Sequence, residues 1–164
     1  MKIPAASFRP RSFPRPAIGL IAALLVMACA PSAPPGKSPA VVIRNAAGRD
    51  WAVMVEVART VVEQAQGLMF RWSLAPDRGM IFVYRDAAVR RFWMMNTRIP
   101  LDMIFIGPDR RIAGIVARAE PYTETIRSVP APAQWVLEVA GGEAEKHGLK
   151  SGDRVFFFGI EEKR

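Results

Sequence analysis

The chain holds one cysteine, Cys29, and one histidine, His147. That scarcity excludes a disulfide framework, and it leaves neither a zinc cluster nor a Cys-His nucleophilic pair enough members. His147 precedes Gly148 at the end of a short helical stretch, where an imidazole commonly interacts with the helix C-terminus. A glycine-rich phosphate loop is also missing. The glycines of GLKSGD (148–153) are explained by a turn that needs positive φ. No internal repeat and no lysine-rich run occurs. The basic residues are spread out, apart from a modest group at Arg85, Arg90, Arg91 and Arg98. Such a group reads as a solvated face, and no nucleic-acid partner is expected.

A long apolar run is lacking as well. The longest, Ile18 to Ala28, falls well short of the roughly 20 residues that a bilayer-crossing helix needs. It follows four basic residues, Lys2, Arg9, Arg11 and Arg15, with no acidic residue among them, and it ends in Val26-Met27-Ala28-Cys29. This is the layout of a secretory signal, predicted over residues 1–28. The small residue before the cysteine resembles the bacterial lipobox, in which the cysteine is acylated and the signal removed. Lipid on Cys29 is therefore expected to hold the chain to a membrane, and no thiol remains for chemistry. Ala30, where Asp would retain the protein at the inner membrane, points by the same resemblance to the outer membrane facing the periplasm.

Removing residues 1–29 takes away four of the 23 basic residues and leaves 19 against 15 acidic ones, so a formal charge of +8 falls to +4. Residues 30–40, APSAPPGKSPA, carry four prolines and read as an extended spacer. A single domain is expected over 41–164.

Within it, Trp51, Val53, Val55 and Val57 recur at period 2, the pattern of a half-buried strand, after a shorter apolar run at Val41–Ile43. Thr60-Val61-Val62-Glu63 is a capping-box signature, and Gly67 suits the helix stop. Short β-rich runs follow at 79–84, 91–96, 101–106, 111–117, 134–139 and 154–160, with a turn at Gly107-Pro108-Asp109 and a helical turn at 143–147. The expectation is a mostly β fold, a barrel or sandwich-like sheet with two short helices.

Three segments carry a resemblance: GLMFRWSLAPDRGMIFVY, FWMMNTRIPLDMIFIGPDRRI and VLEVAGGEAEKHGLKSGDRVFF. They resemble domain-of-unknown-function family 192, found in bacteria and archaea, often as exported proteins. The resemblance implies a compact β-rich fold and no established activity. This chain departs from the usual pattern at Met95, where a lysine is common, and at Arg111, where a glycine is common.

Candidate site residues are polar or aromatic positions beside apolar strands: Arg71, Trp72, Trp93, Asn96, Thr97, Asp102 and Glu138. The expectation is a ligand pocket in a non-enzymatic envelope binding or scaffold domain, without a cofactor or resident metal. Asp102 and Glu138 allow an alternative. Two carboxylates across an open cleft could hydrolyse envelope glycan. Alternating strand faces equally explain both acids as structural. Met69, Met80, Met94, Met95 and Met103 fall within 35 residues and could offer soft ligands to copper, but their Phe, Leu and Ile neighbours favour core packing.

Overall fold

The computed structural model describes residues 38–160. The expected signal (1–28), Cys29 and most of the expected spacer (30–40) lie outside the described residues. Seven strands and two short helices follow in chain order: β1 (Ala40–Arg44), β2 (Asp50–Ala58), α1 (Val61–Gln66), β3 (Arg78–Ala88), β4 (Leu101–Ile106), β5 (Ile112–Ala119), β6 (Ala133–Ala140), α2 (Glu143–Lys146) and β7 (Arg154–Phe158). They form one sheet in the order β5-β4-β6-β3-β2-β1-β7, curled into a half-barrel.

Period 2 explains why the sheet needs covering on both sides. Val53, Val55, Ile81, Ile104, Ile106, Leu137 and Val139 send their side chains into one cluster, to which every strand contributes. That cluster fills the inside of the curl. Met80, Phe82, Leu101, Met103, Phe105 and Val136 face the other way, and Leu68, Met94 and Val129 from connecting segments cover them. Each large apolar side chain so buried contributes about 1.5–3 kcal/mol. At one end the curl brings its outer strands together. Arg111 bridges to Arg154, and the Ile112 and Val155 amides donate to Asp153 and Arg110 carbonyls at 3.0 and 2.9 Å.

β2 and β3 run parallel, whereas the other strand pairs are antiparallel. A parallel pair needs a crossover, and α1 sits in it. The Thr60 hydroxyl accepts from the Glu63 amide at 3.2 Å, and the Glu63 carboxylate accepts from the Thr60 and Arg59 amides, both at 2.8 Å. Those amides hold the carboxyl below its ordinary range. No residue of α1 is buried, so this capping box and the Gln64 amide, which donates to the Val83 carbonyl at 3.0 Å, hold the six-residue helix.

One expected strand is absent. Residues 91–96 form a single bridge, Phe92 to Arg127, and the Met94 amide donates to the Thr123 carbonyl. The run is extended and apolar, but Asn96 turns it with a left-handed backbone, φ 57°. It lies on the sheet instead of joining it.

Candidate functional site

The outer face of β6 carries one acid. In the ladder, Glu138 stands opposite Met80 of β3 and Met103 of β4, so it shares their side of the sheet. It is 4% exposed and its carboxyl lines a cavity without a hydrogen bond from a described residue, whereas the fully enclosed side-chain atoms left without a partner are Arg98 Nη1 and Trp135 Nε1. Burial alone raises the carboxyl from about 4.5 to about 8. At neutral pH it is mostly protonated.

A cavity of about 260 Å³ opens beside it, lined by Gln64, Gly67, Leu68, Met69, Phe82, Tyr84, Arg91, Phe92, Trp93 and Thr97. Gly67 shapes the roof. Its φ is +49°, and a β-carbon there would sit 3.2 Å from Phe82 Cζ and 3.9 Å from Glu138 Oε2, so glycine lets the chain leave α1 this close to the acid. The Phe92 ring meets Phe82 and Phe105 edge-on, at 5.0 and 5.9 Å between centroids, which sets one wall. Burial raises the Tyr84 hydroxyl to about 12, against the opposing pull of Arg90, whose guanidinium lies 3.9 Å over the ring. Arg91 is exposed at the cavity and has no ion pair or hydrogen bond among the described residues. A larger cavity of about 360 Å³ shares Tyr84; Val61, Val83 and Trp135 line it, and no carboxylate does.

Of the seven candidate site residues, Trp93, Thr97 and Glu138 share the smaller cavity. The other four stand elsewhere. Arg71 makes a two-pronged pair with Glu56, both contacts 2.6 Å, at a separate surface. Trp72 is 82% exposed beneath the guanidinium of Arg98, 3.7 Å away. Asn96 is exposed, and its carbonyl accepts from the Phe70 amide.

Asp102 is fully buried and accepts three backbone amides, Arg118 at 2.7 Å, Gly142 at 2.9 Å and Ala144 at 2.8 Å. It ties β4 to β5 and to the start of α2. Asp102 faces Val139 across the ladder while Glu138 faces Met103, so the two carboxylates leave the sheet on opposite sides. The paired-acid arrangement needed for glycan hydrolysis is not formed.

Met80, Met94 and Met103 are buried among Leu68, Phe82, Leu101 and Phe105, as core filling requires. His147 stacks on Trp51 at 4.4 Å, with Nε2 3.3 Å from a Glu143 carboxylate oxygen. Among the described residues no cluster of His, Cys, Asp or Glu suits a metal ion.

Sequence reasoning misses Gln64, Gly67 and Tyr84 as pocket residues. Gly67 was legible as a helix stop, but nothing local to it indicates the acid 71 positions later in the chain.

The profile of the uncharacterized ACR family DUF192 matches residues 42–157. The chain belongs to the DUF192 family. Two solved structures resemble it over most of their length. One, from Sinorhizobium meliloti 1021 and named as a candidate transcription regulator, is 36% identical with a TM-score of 0.72, covering 75% of this chain and 96% of that one. The other, a protein of unknown function from Novosphingobium aromaticivorans DSM 12444, is 43% identical with a TM-score of 0.69, covering 79% and 94%. No curated protein matches this DUF192 chain.

Proposed function

We propose that this DUF192 protein is a cell-envelope lipoprotein, anchored through Cys29, whose domain binds a small ligand in the pocket floored by Glu138. One observation carries the binding reading: a buried carboxyl without a partner opens onto a cavity. Polar groups this far buried nearly always have a hydrogen-bond partner, and for Glu138 the cavity is where one can enter. A ligand with a hydrogen-bond donor supplies that partner. Binding fits better than hydrolysis because no second carboxylate lines the cavity. The anchor reading rests on the basic, apolar and Ala28-Cys29 sequence of the N-terminus. The helices of the described residues hold six and four residues, too short to serve as a major-groove recognition helix.

Two measurements test the two halves. Cells given labelled palmitate are expected to label the protein, and Cys29→Ser is expected to abolish the label; labelling of the Ser variant defeats the anchor. For the pocket, an NMR fragment screen of the full chain is expected to move the amide signals of Gly67, Leu68 and Thr97 together. A screen that leaves all three unmoved defeats the ligand site.

A further inference from the structure

Resting on the reading of this pocket as the ligand site, we infer that its ligand is a small zwitterion, with a primary ammonium against Glu138 and a carboxylate on Arg91. Three features of the cavity lead there. First, Glu138 needs a donor, and an ammonium brings three donors with a full positive charge. That charge offsets the cost of ionising a carboxyl held out of water. Second, Phe82, Tyr84, Phe92 and Trp93 line the same cavity. Aromatic rings around a carboxylate are a common setting for organic cations, because ring faces attract positive charge.

Third, Arg91 lines this cavity with its guanidinium uncommitted among the described residues. A bare amine would meet its repulsion. A bare carboxylate would gain Arg91 but leave Glu138 buried and neutral. A molecule carrying both groups engages both of these lining residues, and a guanidinium takes a carboxylate through two parallel hydrogen bonds. At about 260 Å³ the cavity lies just below the usual range of ligand pockets, roughly 300–1,000 Å³, so the ligand is small.

Binding is coupled to pH. The ammonium needs Glu138 ionised, and the empty pocket holds it mostly protonated below about 8. The charged and titratable groups facing it are Tyr84 of β3, with Arg90 over its ring, and Arg91 of the covering segment. Met103 of β4 and Gln64 and Gly67 at the end of α1 contribute none. On binding, the Glu138 proton leaves to solvent and the ligand keeps its own. Affinity is therefore expected to weaken about tenfold from pH 7 to pH 6, the slope of a one-proton release.

The test uses the full chain in a neutral maltoside detergent, titrated with ω-amino acids from glycine to 5-aminovalerate, and with propylamine and butyrate as single-ended probes. One chain length is expected to bind at least tenfold tighter than either single-ended probe. Glu138→Gln, which keeps the shape and the neutral state of the acid, is expected to remove that preference while the melting temperature does not fall. Arg91→Ala is expected to bring the amino acid down to the amine. Butyrate binding as tightly as the best amino acid overturns the inference, as does affinity that rises when pH falls. Silence to all these probes in a pocket whose signals answer other fragments overturns it too, and leaves the ligand site standing. Silence to every fragment overturns both.

Discussion

Asp102 and Glu138 lie on adjacent strands, one step apart in the ladder, and point through opposite faces of the sheet. Both are acids inside apolar runs. One is saturated with three backbone amides, and the other has none. The same residue class therefore serves as a structural clamp on one side and as an unpaired group beside a cavity on the other.

Removing the clamp is expected to be costly. Asp102→Ala leaves the amides of Arg118, Gly142 and Ala144 without their acceptor, and about 1–3 kcal/mol is lost for each one that stays buried. Chemical denaturation is expected to show a loss of at least about 3 kcal/mol, with ligand binding at the far face unchanged in the molecules that remain folded. A loss below about 1 kcal/mol would mean that water replaces the carboxylate without penalty.

Glu138 predicts an unusual pH dependence. Its folded carboxyl lies near 8 and its unfolded one near 4.5, so the folded state holds the extra proton between those values. The stability it supports is fully present below about 4.5 and is lost as pH rises through about 8, by up to about 5 kcal/mol. Against Glu138→Gln, the native protein is expected to lose stability from pH 5 to pH 8.5, read from urea midpoints at both pH values. Parallel profiles would show that the acid is solvated.

Gly67→Ala forces a β-carbon toward Phe82 from a backbone conformation that L-residues avoid. A cost of about 1–3 kcal/mol is expected. The thermal midpoint should fall, and fragment binding at the Glu138 pocket should weaken with it. An unchanged midpoint would mean that the loop after α1 relaxes freely.

Arg71→Ala should be nearly silent. Its pair with Glu56 has good geometry but is open to solvent, with side chains 34% and 57% exposed, and such pairs are worth about 0–1 kcal/mol. Stability within that range and unaltered pocket signals are expected. A larger fall would assign Arg71 a role beyond the pair.

Much of the fold was legible. Alternation marked β2, the Thr60–Glu63 capping box marked α1, and Pro108-Asp109 marked the turn between β4 and β5. Residues 91–96 were not, because an extended apolar segment has the same alternation whether it joins a sheet or covers one. The site was harder. Every residue of β4, and Trp135 to Val139 of β6, is buried, so alternation no longer separates an inner from an outer face. The direction of Asp102 and of Glu138 follows from register, which local sequence does not carry.

The junction of Arg111 with Arg154 has a consequence for how copies of this chain meet. Terminal strands normally offer rows of unpaired amides and carbonyls on which a neighbouring chain can grow. Here the outermost strands spend part of that backbone on each other, between Arg110–Ile112 and Asp153–Val155. Less template is left there for strand addition, which works against edge-to-edge fibre growth.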